Sequence, residues 1–324
     1  MRKIQLLPFF VSAFIVLASG CVKNDIEDLE NNEKKIISKY LADHNITEDK
    51  KTEGGIYFIE NKAGTGVTPG KDNYVVINYV GRYLEDGVIR ETSYDSLKAD
   101  WPLSGIFKYY LYGPIKMMYG YSMPGINEAL SLMKEGGKAT VILPSDKANY
   151  DYKPLVYELE LLKVIKDPEA FDDSTMYLYV QENYSEGTQI GDTTLWYKIT
   201  EASTAIDSFG SGDSIYFNYT GRIVDAYGST IVANRVFDSN AEKGISRYKP
   251  GMRTPTNMML FPNGLKVAFD SIRFQNHSKV SIAIGNSMAY GKTGYVYPTQ
   301  NYTVVPVYQS LIYDIEVVDI KQGQ

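Results

Sequence analysis

Tyr74-Val75-Val76-Ile77-Asn78-Tyr79-Val80-Gly81-Arg82 and Ser214-Ile215-Tyr216-Phe217-Asn218-Tyr219-Thr220-Gly221-Arg222 are two versions of one stretch, 140 residues apart. Each is rich in β-branched and aromatic residues and ends on Tyr-x-Gly-Arg, a strand composition. Each is followed, much later, by a matching alternating segment: Leu155-Val156-Tyr157-Glu158-Leu159-Glu160-Leu161-Leu162 and Leu311-Ile312-Tyr313-Asp314-Ile315-Glu316-Val317-Val318. The chain therefore contains a duplicated domain.

Between these brackets the order of elements also repeats. Met123-Pro124-Gly125 precedes Ile126, Ala129, Leu130 and Met133, spaced i, i+3, i+4, i+7 on one face of a helix that starts near a proline. Gly136-Gly137 can end that helix in a left-handed conformation, and residues 138–143 form a strand that stops at Pro144. In the second copy Pro262-Asn263-Gly264 leads into Leu265, Ala268, Phe269 and Ile272, then a strand over 279–284. Upstream, Gly54-Gly55 and Ile56-Tyr57-Phe58-Ile59 open the first copy's strands, with a turn at Val67-Thr68-Pro69-Gly70. Asp167-Pro168 reads as the linker, and the second copy is lengthened mainly in loops at 224–236 and 291–305.

The N-terminus carries different information. Arg2 and Lys3 precede an apolar run, residues 6–17, too short to span a bilayer as a stable helix, so residues 1–20 read as a signal peptide. Leu17-Ala18-Ser19-Gly20-Cys21 resembles a bacterial lipobox, with Ala18 where the usual leucine stands. Cys21 is the only cysteine, so no internal disulfide can form, and lipidation there would anchor the chain to a membrane without crossing it. Val22-Lys23-Asn24-Asp25-Ile26-Glu27-Asp28 resembles the surface-export signal of lipoproteins in the Bacteroidetes. The expected location is the bacterial cell envelope, on the outer membrane, at its surface or its periplasmic face. Within the lipidated tether, residues 21–50, the residues Ile26, Leu29, Ile36, Ile37, Tyr40 and Leu41 fall at helical spacing; this tether helix is expected to pack on the first domain.

Removing the signal shifts the formal net charge from −6 to −8, because Arg2 and Lys3 leave with it. No Lys/Arg cluster is present, which argues against nucleic acid as a partner. The chain has 28 Tyr against 12 Phe and 2 Trp, first of all a strand preference.

Taken in order, the Tyr-x-Gly-Arg strand, a Phe-Asp-Ser segment, a helix after a proline turn, an Ala-Tyr-Gly loop and the closing Leu-x-Tyr strand resemble the FKBP-type peptidyl-prolyl isomerases across most of both halves. The resemblance implies an α+β fold: two FKBP-like domains, each an antiparallel sheet of about five strands wrapped on one short helix, preceded by the tether helix. Residues 51–166 would be the first domain and 167–324 the second. It also implies an aromatic cradle for a proline ring, with no cofactor and no metal. X-Pro rotation breaks no covalent bond, so a dry pocket that grips the twisted amide suffices.

On that resemblance the second copy retains the site. Tyr219, Phe237, Asp238 and Tyr290 match the family's strand tyrosine, pocket-wall aromatic, carboxylate and carbonyl-binding tyrosine. Leu260, Phe261, Leu265, Val305 and Tyr313 match its substrate-binding walls, with Leu265 in place of the family's floor tryptophan and Asn263 inserted before it. The first copy departs further. Tyr79 and Tyr157 remain, but Arg90-Glu91 replaces Phe-Asp, Ile126 forms the floor, Ser122-Met123 replace an aliphatic pair, and Tyr150 is displaced by one position. A buried Arg90 would need a partner such as Glu91, so it is expected to point to solvent.

Other chemistry finds little footing. His44 and His277 are the only histidines and lie far apart, which argues against zinc or a Ser-His-Asp arrangement. Asp172-Asp173 read as solvated loop or cap residues, and no glycine-rich phosphate loop follows a strand. Two readings follow. One is a membrane-anchored isomerase or foldase that binds proline-containing protein segments in the second domain. The other is a non-catalytic binding or scaffold lipoprotein holding a protein or glycan partner. An open cleft bounded by Phe237, Phe261 and Tyr313 marks the first, and a filled one the second.

Overall fold

A computed structural model describes residues 9–101, 111–205, 207–227, 230–297 and 303–323. The signal peptide read at 1–20 lies partly outside these residues, as do parts of both long loops, and the side chain of Cys21 lies outside the description. Among the described residues no helix is long and apolar enough to cross a membrane. They fall into two compact units of discontinuous sequence. One takes the residues up to Thr68 with Tyr79–Glu91 and Gly120–Glu160; the other takes Pro69–Asn78, Thr92–Tyr119 and Leu161–Gln324.

Helix α1 (Phe9–Asp43) leads the first unit, and its expected packing is observed. Leu41 is buried with Tyr57, Ile142 and Val156, while Ile36, Ile37 and Tyr40 lie against the same cluster. The Glu33 carboxylate fastens the helix by accepting from Ser145 N at 2.5 Å and Ser145 Oγ at 2.7 Å. Strands β1 (Tyr57–Lys62), β2 (Tyr74–Tyr83), β3 (Ile89–Thr92) and β4 (Ile115–Met118) are followed by helix α2 (Pro124–Leu132), then β5 (Lys138–Leu143) and β6 (Leu155–Ile165). They form a six-stranded sheet in the order β1-β5-β6-β2-β3, with β4 on β2. Proline starts α2, and Ile126, Ala129 and Leu130 form its buried face.

Asp167-Pro168 is not a bare linker. Asp167 caps a 16-residue helix, α3 (Pro168–Asn183), by accepting from Ala170 N at 3.0 Å, and Pro168 takes its first position. Asp172, expected to be solvated, is 2% exposed on this helix and accepts from Ser310 N at 3.1 Å and Ser310 Oγ at 2.5 Å. The sequence then continues through β7 (Thr188–Gln189), β8 (Leu195–Glu201), β9 (Ser214–Tyr227), β10 (Thr230–Ser239) and β11 (Ser246–Tyr248). After these come α4 (Asn263–Ser271), β12 (Lys279–Ile284), β13 (Tyr295–Val296), β14 (Thr303–Val305) and β15 (Leu311–Lys321).

The second sheet has seven strands, ordered β10-β9-β15-β12-β8-β7 with β11 on β9, while β13 and β14 pair separately. Against about five strands expected, the sheets have six and seven, and α3 adds a helix. In each copy a nine-residue helix does recur among antiparallel strands.

Candidate functional site in the second unit

Phe237 and Asp238 are neighbours in sequence, so a regular strand would point them to opposite faces. Instead the pairing of β10 with β9 slips between Val236↔Arg222 and Asp238↔Gly221. This irregularity inserts Phe237 as an extra residue, and both side chains end up buried, each 3% exposed. Gly221 lies opposite. A Cβ there would stand 2.8 Å from Phe237 Cζ and 3.1 Å from Tyr313 Cε1, so the two rings rest against bare backbone.

The other residues assigned from the resemblance belong to the core of the same unit. Tyr219 from β9, Tyr313 from β15, Leu265 from α4, Val305 from the end of β14 and Leu260 are all buried in one cluster, with Phe261 and Tyr290 packed against it. The Phe237 and Tyr313 rings meet edge to face at 5.7 Å, and Tyr219 lies 6.3 Å from Tyr313. The Tyr313 hydroxyl donates to Leu260 O at 3.3 Å. All nine residues assigned from the sequence are therefore together in the second unit.

Asp238 is committed to structure. Its carboxylate accepts from Lys243 Nζ at 2.8 Å, Met259 N at 3.2 Å and Leu260 N at 3.1 Å, which fixes the 259–260 segment before α4. Tyr290 is half-buried, and burial, then the nearby Tyr295 and Asp238, push its hydroxyl well above the ordinary tyrosine range. It is consequently a neutral O–H donor at physiological pH. Sequence reasoning missed Lys243 and Asn240. Asn240 is 2% exposed; its Oδ1 accepts from Tyr219 N at 3.0 Å and its Nδ2 donates to Phe217 O at 3.0 Å. Lys243 could have been found by asking which cation five residues on partners a buried Asp238.

The first copy differs in kind. Arg90 does not point to solvent. Its guanidinium donates to Glu91 Oε1 at 2.7 Å, Tyr157 Oη at 3.1 Å and Asn149 Oδ1 at 3.3 Å, and the Tyr157 hydroxyl donates to Glu91. Charges thus fill the position of the pocket wall. Tyr150 is 70% exposed at φ +58 and is turned away from any pocket role. Among the described residues no group of His, Cys, Asp and Glu could hold a metal ion.

Of the three residues expected to bound a cleft, Phe237 and Tyr313 are 3% and 0% exposed and Phe261 is half-buried.

No family model matches the chain. The probable FKBP-type peptidyl-prolyl cis-trans isomerase FkpA of Neisseria meningitidis is 28% identical over 160 residues, 42% of this chain and 53% of that protein. The FKBP-type 22 kDa peptidyl-prolyl cis-trans isomerase of Escherichia coli is 26% identical over 137 residues, 39% of this chain and 59% of that protein. The crystal structure of FkpA from Escherichia coli aligns with a TM-score of 0.35 at 20% identity, covering 51% of this chain and 74% of that one. The chain spans about half the length of the curated relatives it matches. Over the matched stretch the chain is thus similar to FKBP-type peptidyl-prolyl cis-trans isomerases.

Proposed function

We propose that this protein is a peptidyl-prolyl isomerase acting as a foldase of the bacterial envelope, with its second unit taking up proline-containing protein segments. One observation carries the reading: Phe237, Tyr313, Tyr219 and Leu265 are buried in one apolar cluster, with Tyr290 packed against it. An X-Pro bond twists more readily when its carbonyl is stripped of water and its proline ring is held, since amide resonance is then lost in a site shaped for the twisted form. Tyr290 would donate to the substrate carbonyl, the aromatic walls would hold the ring, and Asp238 would position the segment that carries Phe261. The first unit, with Arg90, Glu91 and Tyr157 bonded to one another, would give support rather than turnover.

Proline-limited refolding of a reporter protein tests this directly. Acceleration at micromolar full-length protein is expected, reduced about tenfold or more by Tyr290→Phe, in line with loss of a positioned hydrogen-bond donor. No acceleration would remove the enzymatic assignment.

The membrane attachment is part of the same reading. Lipid on Cys21 would hold the protein to the outer membrane, at its surface or periplasmic face, and metabolic labelling with a fatty acid should be abolished by Cys21→Ser. A second reading, a non-catalytic FKBP-like scaffold holding a protein or glycan, is favoured by the burial of Phe237 and Tyr313. A partner retained by the Asp238→Ala, Tyr290→Phe double variant would support it.

A further inference from the structure

A cradle for proline must open, yet its walls are covered. Side chains packed around it, such as Met252, Tyr290 and Tyr297, come from the second repeat itself. Leu111 does not. It is supplied by the 92–119 segment, which precedes the second repeat by some length but belongs to the same compact unit, and it packs half-buried against the cluster that contains Phe237 and Tyr313.

The stretch carrying Leu111 is a strap rather than a layer of core. Residues 111–114 lie in no helix or strand. Gly113 N donates to Ser93 O at 2.6 Å, Arg235 Nη1 donates to Tyr112 O at 3.4 Å, and the Tyr112 side chain sits on Trp101, with its hydroxyl donating to Trp101 O at 3.3 Å. Arg235 sits on β10 two residues before Phe237 and is fixed by Asp225, with Nε at 2.5 Å and Nη2 at 2.7 Å from its two oxygens. Gly113 lies at φ +117, where a Cβ would stand 2.4 Å from Arg235 Cδ, so only glycine lets the strap lie this close to β10. Just beyond, Lys116 Nζ donates to Tyr308 O at 2.5 Å and ties the strap to the loop that follows the Val305 wall.

We infer that the strap at residues 111–114 is a built-in cover for the second cradle, with Leu111 as its plug, and that a proline-containing segment gains entry by displacing it. The inference rests on the reading of the second cradle as the proline site. It gives the burial of Phe237 and Tyr313 a meaning within an isomerase: the competent state is a minor one, and apparent affinity is reduced in proportion to the small fraction of molecules in which the strap has lifted.

The test uses the full-length protein and an Ala-Leu-Pro-Phe tetrapeptide, comparing wild type with Leu111→Ser, which removes the plug, and Gly113→Ala, which pushes the strap off β10. Near-ultraviolet circular dichroism establishes that each variant is folded, and either one alone suffices. Binding on the order of tenfold tighter than wild type is expected, the size of the penalty when a tenth or less of the protein is competent. In wild type, peptide should also speed hydrogen exchange in the fragment that contains Gly113. Equal affinities for wild type and variants, with no change in exchange, would overturn the strap while leaving the cradle as a proline site. No binding by any of the three folded proteins would overturn both.

Discussion

Gly221 lies with its bare Cα against the ring of Phe237, where a methyl group would stand 2.8 Å from Cζ. The first copy has the same relation between Gly81 and Tyr157, whose Cε1 would be 2.5 Å from an added Cβ. The glycine of Tyr-x-Gly-Arg is therefore kept in each repeat by a ring pressed onto the strand. Gly221→Ala should destabilise the second unit by about 1–3 kcal/mol, the usual cost of overpacking a filled core, and weaken peptide binding with it. Chemical denaturation checks the first outcome, and an unchanged midpoint would show that the rings can move aside.

Asp238 and Lys243 should be unequal partners. Asp238→Ala removes the acceptor of the half-buried Lys243 ammonium and of two backbone N–H groups, at a cost of about 3–5 kcal/mol. Lys243→Ala leaves the carboxylate its two N–H donors and should cost about 1–3 kcal/mol. A double-mutant cycle on unfolding free energies measures the coupling, and equal single losses would contradict the arrangement.

Tyr248 gives the alkaline limit. It is fully buried, and desolvation together with the Asp270 carboxylate, to which its hydroxyl donates at 3.2 Å, pushes it from 10.0 to about 12. Burial raises Tyr157, Tyr184, Tyr290 and Tyr313 as well. A folded-state value raised above the unfolded one means that the stabilisation is fully present below pH 10 and is lost as pH climbs through the window from 10 to about 12. The denaturation midpoint should fall across that window, and the tyrosinate absorbance of these residues should appear only with unfolding.

Arg90→Ala should destabilise the first unit, because the Tyr157 hydroxyl and Glu91 lose a charged partner, by about 1–3 kcal/mol. Peptide isomerisation should be unaffected. A drop in turnover with stability unchanged would place function in the first copy.

The repeat and its elements were legible because their signals are local. Residues 138–143 and 279–284 form strands at the bounds read from the sequence, and the helical faces of Ile126-Ala129-Leu130 and Leu265-Ala268-Phe269 are buried as spaced. Helix α3 was not, because Asp167-Pro168 suits a linker as well as a cap, and its buried face includes the polar Asp172 and Thr175, which break the apolar period. The inward turn of Arg90 depends on Asn149 and Tyr157, partners distant in sequence that no window reveals. The nine residues taken from family order do gather in the second unit, but the packing of Leu111, from outside the second repeat, against the same core was not legible.

The rate of cis–trans exchange in an Ala-Leu-Pro-Phe peptide, followed by exchange NMR with full-length protein, bears most directly on the assignment. Exchange should be accelerated by the wild type and by Arg90→Ala, and slowed about tenfold or more relative to wild type by Tyr290→Phe. Exchange no faster than in buffer alone, with the strap opened by Leu111→Ser as well as closed, would contradict an isomerase site in the second unit.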